Sequence, residues 1–184
     1  MIGLVLLTIL VLVGLYFLML YNGMVTKKLR VSEAWSQIDV QLKRRADLIP
    51  NLVETVKGYA KHEKTVFEEV TKARSVLMNA SGAAAKGQAD NQLSAALKSI
   101  LAIAEAYPKL EASQNFKELQ EELSDTEGKV AYSRQFYNNV VMDYNTVLKV
   151  FPNVIFAPTF GFKEAEFFGK DLTDKEREAI NVNL

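Results

Sequence analysis

The chain has no cysteine and a single histidine among its 184 residues. The first absence excludes disulfide scaffolds, iron–sulfur clusters, Cys-zinc sites, cysteine nucleophiles and a lipidated N-terminal cysteine. The second excludes His-rich metal sites. No Glu-x-x-His pair occurs, which removes a ferritin-type di-iron bundle, and His62-Glu63 lacks the second histidine of the metalloprotease helix motif. A Gly-rich phosphate loop, a Rossmann fingerprint and a Gly-x-Ser-x-Gly elbow are missing as well. No charge sign dominates: 22 Lys and Arg face 22 Asp and Glu. That balance argues against a nucleic-acid partner, which calls for a basic excess or stripe. Lys43-Arg44-Arg45 is too short to change this, and Asp47 offsets part of it. These absences lead us to expect no catalytic residues, no metal, no cofactor and no enzyme activity.

The most informative absence is positional. The first charged residue is Lys27. Ile2 to Tyr21 is an uncharged run of 20 residues, which as a helix spans about 30 Å, the thickness of a bilayer's hydrocarbon core. Tyr16 and Tyr21 stand near its end, where an interfacial aromatic belt is expected. The basic n-region and small-x-small cleavage site of a secretory signal are lacking. We therefore read residues 1–25 as an uncleaved transmembrane anchor. Lys27, Lys28 and Arg30 crowd its C-terminal flank. By the positive-inside rule the N-terminus lies outside and the remainder in the cytoplasm of a single-pass cell-membrane protein.

From residue 27 to about 150 the apolar residues step by three and four, the helical period. A first stripe holds Trp35, Ile38, Leu42, Ile49, Leu52, Val56 and Tyr59, with Pro50 inside it as a potential kink. A second holds Val66, Phe67, Val70, Ala73 and Leu77, and Ser81-Gly82 stops it. Ala83 to Asp90, small and polar, reads as a flexible loop. A third stripe runs Leu93, Ala96, Leu97, Ile100, Ile103, Ala104, and Tyr107-Pro108 ends it. Ser113 is placed to cap a fourth helix carrying Phe116, Leu119, Leu123, Val130, Tyr137, Val140, Tyr144, Val147 and Phe151. The expected helices are about 27–58, 62–80, 88–106 and 113–150, with the first running on from the anchor and the long fourth pairing mainly with it. Alternating strand patterns are weak. Short connections between amphipathic helices favour an all-α, up-down-up-down antiparallel four-helix bundle.

Residues 151–184 form a different segment. Six of the ten phenylalanines fall between Phe151 and Phe168, and Pro152, Pro158 and Gly161 oppose a regular helix. This irregular tail either straps the bundle or docks elsewhere, on a partner or a membrane surface, with Phe156, Phe160 and Phe162 as the candidate contacts. Asp174 to Glu178 reads as a solvated helical turn.

One polar pattern accompanies the apolar ones. Glu127, Arg134, Asn138 and Asn145 recur at steps of seven, four and seven on the fourth helix. Arg45, Asp47, Asn51 and Glu54 on the first helix and Arg74 on the second are placed to face them. The set is a solvated face with boundary ion pairs, a buried register-fixing hydrogen-bonded network, or the setting of Glu127 as a catalytic carboxylate that lacks a second carboxylate on its helix; a structural network and a recognition site need the same residues.

Arg44-Arg45-Ala46-Asp47-Leu48-Ile49-Pro50-Asn51-Leu52-Val53, then Val56-Lys57-Gly58-Tyr59 and Ala73-Arg74, resembles the LemA family. So do Tyr107-Pro108, Phe116, Leu119-Gln120, Thr126-Glu127, Arg134, Tyr137-Asn138, Tyr144-Asn145, Phe151-Pro152 and Phe160-Gly161-Phe162. Ala179-Ile180-Asn181-Val182 departs from the proline-containing ending common in the family. The resemblance implies a helical bundle on one membrane anchor, with no established enzyme activity and a poorly defined molecular role. It also implies company: members occur alongside membrane metalloproteases or other membrane proteins, and relatives are implicated in building magnetosome membranes. The expected function is a membrane-anchored, non-catalytic interaction or scaffold module. Its expected partners are the lipid bilayer and a membrane protein, such as a membrane protease, or a second copy of itself. A self-assembling membrane-shaping protein is the alternative.

Overall fold

The computed structural model describes residues 1–169, so the Asp174–Glu178 turn and the Ala179–Val182 departure lie outside the described residues. The described chain is helical throughout and contains no strand. Its elements are α1 (Ile2–Lys57), α2 (Lys64–Asn79), α3 (Ala83–Ala106), α4 (Pro108–Glu111), α5 (Gln114–Lys149) and α6 (Asn153–Phe156). The anchor and the first helix are one element, since no break separates the uncharged run from the charged body. Pro50 sits within α1, which continues to Lys57 before the turn at Gly58.

Two expectations change. Ala83 to Asp90 is not a flexible loop but the opening turns of α3. Its alanines are the best helix formers, and one Gly costs only about 1 kcal/mol, so small size concealed the helix. The phenylalanine-rich tail also contains a single helical turn, α6, begun by Pro152 at its N-cap.

The chain divides into two compact units. Unit 1 joins Met1–Ser36 to Phe136–Ala165. Within it Lys27 pairs with Asp143 at 3.4 Å, and the Trp35 ring lies 5.7 Å from that of Tyr137. Rising numbers on α1 meet falling numbers on α5, so these segments are antiparallel. Their core is Met24, Tyr144, Leu148, Ala157 and Phe162. On α5 the buried positions are Tyr137, Val141, Tyr144 and Leu148, while Val140 and Val147 are half-buried and Phe151 is exposed. The expected stripe is thus one residue off its true centre.

Unit 2 joins Gln37–Gln135 to the chain from Glu166 onward. Its core takes Ile38, Leu42, Ile49, Leu52 and Val56 from α1, Phe67, Val70 and Leu77 from α2, Leu93, Leu97 and Ile100 from α3, and Phe116, Leu123 and Val130 from α5. The expected stripes supply this core; Tyr59 alone of the α1 stripe is exposed. The end of the described tail returns to α3 at one very close approach. A Cβ on Gly87 would stand 2.4 Å from the Gly169 amide nitrogen, and Gly169 itself has φ +68°. Both positions therefore require glycine. Phe168, just before, is buried.

Gly87→Ala is expected to displace the Phe168–Gly169 turn and lower stability by about 1–3 kcal/mol, the usual cost of overpacking. Thermal unfolding of the full-length protein in detergent, followed by far-UV circular dichroism, measures it. An unchanged Tm would show that the tail does not press on α3.

Candidate functional site

The basic triplet on α1 splits by helical angle. Arg44 points outward, to Glu122 at 2.9 Å and Asp125 at 3.3 Å on α5. Arg45 points inward and is buried. Its Nη1 donates to Asp90 Oδ1 at 2.9 Å and to Ser94 Oγ at 3.0 Å, both on α3. Burial lifts the Asp90 carboxyl above the ordinary aspartate value, against the opposing pull of Arg45. Arg134 pulls the same way as Arg45, and Glu127 adds to the lift. The Arg45 Nε and, one turn earlier, Gln41 Oε1 are buried without a hydrogen-bond partner.

Arg74 solves a problem that Pro50 creates. In an α-helix the carbonyl of residue i−4 accepts from the amide of residue i. Pro50 has no N–H, so the Ala46 carbonyl loses its helical donor. Arg74 Nε, reaching across from α2, donates to that carbonyl at 2.8 Å. Two residues 24 positions apart in the sequence thereby complete one hydrogen-bond ladder.

A similar side-chain-to-backbone clasp holds the tail in unit 1. Asn145 Oδ1 accepts the Ala165 amide at 2.8 Å, and its Nδ2 donates to the Ala165 carbonyl at 2.9 Å. The neighbouring Tyr144 hydroxyl donates to the Lys163 carbonyl at 3.0 Å, and its burial raises the phenol's pKa. Asn138, also in unit 1, is half-buried.

The nine polar residues singled out in the sequence are thus distributed rather than gathered. Arg45 is buried, Arg74 and Arg134 are half-buried, and Asp47, Asn51, Glu54 and Glu127 are exposed, all in unit 2. Asn138 and Asn145 belong to unit 1. Asp90 and Ser94 were missed because they fall in or beside the stretch read as a loop. The signal was the spacing Ala83, Gly87, Asp90, Ser94, a helical stripe disguised by small and charged members. Of the three phenylalanines, Phe162 is buried and Phe156 half-buried, so only Phe160 stays exposed as a contact surface. Phe156 meets Phe17 edge-on at 4.8 Å, and Phe160 and Phe162 meet Tyr21 at 5.4 and 5.7 Å.

On the surface of unit 2 an open groove of about 730 Å³ runs between α1 and α5. Asn51 and Thr55 line one side; Asn115, Glu118, Leu119, Glu121, Glu122 and Asp125 line the other. A hydrogen bond from Lys129 holds the Asp125 carboxyl below its ordinary value. Among the described residues, no group of three or more His, Cys, Asp or Glu is placed to hold a metal ion. What the groove offers is an acidic, half-polar surface suited to a basic partner.

The LemA family model matches residues 34–184. The magnetosome protein MamQ of Magnetospirillum gryphiswaldense is 26% identical over 177 residues, a match covering 82% of this chain and 65% of the relative. The magnetosome proteins MamQ 1 and MamQ 2 of Paramagnetospirillum magneticum are similar to the same extent. The chain therefore spans 65% of the length of these curated relatives. Among the described residues one helix, α1, is long and apolar enough to cross a membrane, and none of its most apolar stretch is buried within the chain. Together with the magnetosome relatives, this supports membrane association.

A double-mutant cycle and a compensating double replacement test the polar contacts of unit 2 by denaturant unfolding. Arg74→Ala is expected to cost about 1–3 kcal/mol by orphaning the Ala46 carbonyl. In a Pro50→Ala background, where residue 50 regains its N–H, that cost should shrink by about 1 kcal/mol or more; strict additivity would disprove the link. Asp90→Ala, which strands the Arg45 charge, is expected to cost about 3–5 kcal/mol, whereas Arg45→Met with Asp90→Leu should restore most of it. If the double variant is as unstable as the single one, the burial of an unpaired charge is not the cause.

Proposed function

The chain belongs to the LemA family, and from that premise we propose that it is a membrane-anchored, non-catalytic helical interaction module. In this reading α1 crosses the cell membrane once over its first 25 residues, with the N-terminus outside. The helical body, an up-down-up-down four-helix bundle, then stands in the cytoplasm. Its partner is a membrane protein, for which a membrane protease is one candidate class, or a second copy of the chain. The observation that carries the proposal is the unbroken helix from Ile2 to Lys57. Within unit 1 the residues just past the apolar run pack on α5, so the run and a packed surface share one helix, which suits a tethered recognition surface better than a freely diffusing one. Lys27, Lys28 and Arg30 at the end of the run support the orientation.

The contact face we assign is the groove beside Arg44 and Asn51. Its carboxylates outnumber the cations that answer them: Glu118 and Glu121 line it in addition to the Glu122 and Asp125 that Arg44 reaches. Such a surface favours a partner with a basic segment and a modest, salt-sensitive affinity.

A second reading, self-assembly that shapes the membrane, is favoured by the similarity to magnetosome proteins.

The test is photocrosslinking in the native membrane. A benzophenone amino acid is placed at exposed Asn51 of the full-length chain, and the products are identified by mass spectrometry. One dominant membrane protein is the expected product. Products containing only this chain would transfer the case to self-assembly, and the absence of any product would remove the groove as a contact face. Turnover of a substrate by the purified full-length chain would overturn the non-catalytic assignment.

A further inference from the structure

Segment 150–160 of unit 1 has two opposed faces. Its inner face packs on α1, where Phe156 meets Phe17 and Phe160 meets Tyr21. Its outer face presents Val150, Phe151, Val154 and Ile155; Phe151 is 79% exposed and Ile155 56% exposed. A water-facing surface gains nothing from such a cluster, whose side chains belong in an apolar medium.

The inner contacts fix the level of the outer ones. Phe17 and Tyr21 belong to the uncharged run of α1. Phe17 lies one helical turn, about 6 Å, before Tyr21. A side chain packed edge-on against Phe17 shares the surroundings of Phe17. If the run is in lipid, so is the segment beside it. This is the step that rests on the anchor reading above.

The charges agree. From Tyr144 to Lys163 there is no acidic residue, and the stretch carries Lys149 and Lys163. Asp143 and Glu164, which flank it, are paired with Lys27 and Lys149. On α1 the first charges after the run are Lys27, Lys28 and Arg30. The Lys28 ammonium lies 5.9 Å from the centre of the Phe162 ring, an arrangement that keeps its head at the level of the buried aromatic group. An apolar wedge rimmed by lysines is the pattern of a segment that sits roughly 5–10 Å into the headgroup–acyl boundary.

We propose that segment 150–160 is a second membrane contact. Phe151, Val154 and Ile155 insert into the interfacial layer of the leaflet that holds Phe17 and Tyr21, and exposed Lys28 and Lys163 face anionic headgroups. The chain then holds the bilayer at two points, one spanning and one shallow.

The absence of cysteine makes the test direct, because each introduced thiol is unique. Full-length Ile155→Cys, Thr8→Cys and Asn139→Cys variants are labelled separately with the fluorophore NBD and reconstituted into phosphatidylcholine–phosphatidylglycerol vesicles. Nitroxide lipids carry the quencher near the headgroup or deep in the chains. Thr8 lies within the run; Asn139, exposed and bracketed by the Trp35–Tyr137 and Lys27–Asp143 contacts, lies well beyond it. The expected result is deep quenching at Thr8, none at Asn139, and at Ile155 shallow quenching several-fold above the Asn139 level with a blue-shifted emission. A Val154→Cys label should repeat the Ile155 result, which guards against a local effect of one substitution. Quenching at Thr8 with Ile155 behaving like Asn139 overturns the second contact and leaves the anchor standing. A blue shift at Ile155 without lipid quenching also overturns it, because protein then covers the segment. Loss of quenching at Thr8 overturns the anchor itself and this contact with it.

Discussion

The unbroken backbone of α1 is the constraint from which the other features follow. Every carbonyl along α1 needs a donor. In the uncharged run the helix supplies all of them internally, which is the condition for a segment that can cross a bilayer. In the body the ladder fails once, at Pro50, and α2 supplies the missing donor through Arg74. The repair is specific: it places one turn of α2 against one carbonyl of α1. Proline here acts less as a kink than as an address, creating an acceptor that only the correct neighbour reaches.

The other buried polar groups act in the same way. Arg45 selects the turn of α3 that carries Asp90 and Ser94. Asn145 selects Ala165 by bonding both its amide and its carbonyl, much as a strand neighbour would. Gly87 admits Gly169 because it has no side chain, and Gly169 takes the positive φ of the turn that makes the approach. Apolar stripes make these helices associate, but such stripes tolerate sliding. The polar contacts do not, since a slip of one turn strands a buried charge or an amide. Stability and register therefore rest on different residues.

Periodicity makes the helices and most core positions legible in the sequence. Ile38, Leu42, Ile49, Leu52 and Val56 are buried as their spacing requires. The start of α3 escaped because Ala, Lys, Gly and Gln carry no hydrophobic signal, although their spacing is helical. The one-residue offset on α5 arose because Val140 and Val141, like Val147 and Leu148, are equally apolar neighbours, and periodicity alone does not choose between adjacent apolar positions. The polar stripe was legible as a set of unusual residues but not as contacts. Arg74 was marked without its carbonyl, since a backbone acceptor is invisible in side-chain patterns. Asp90 was overlooked because the partner of a buried charge is found by three-dimensional proximity, not by sequence distance. Among the phenylalanines the count pointed to the tail, yet which rings turn inward depends on Phe17 and Tyr21, more than a hundred residues earlier.

The antiparallel pairing within unit 1 makes length a shared quantity. Lys27 opposite Asp143 and Trp35 opposite Tyr137 are two rungs between the two helices. A turn inserted into α5 beyond Tyr137, with none added to α1 before Trp35, would carry Phe156 past Phe17 by about 5 Å and point its ring at a different neighbour. Growth or shortening here is tolerated only as a matched edit on both helices. Like the rails of a ladder, neither helix can be cut to a new height alone.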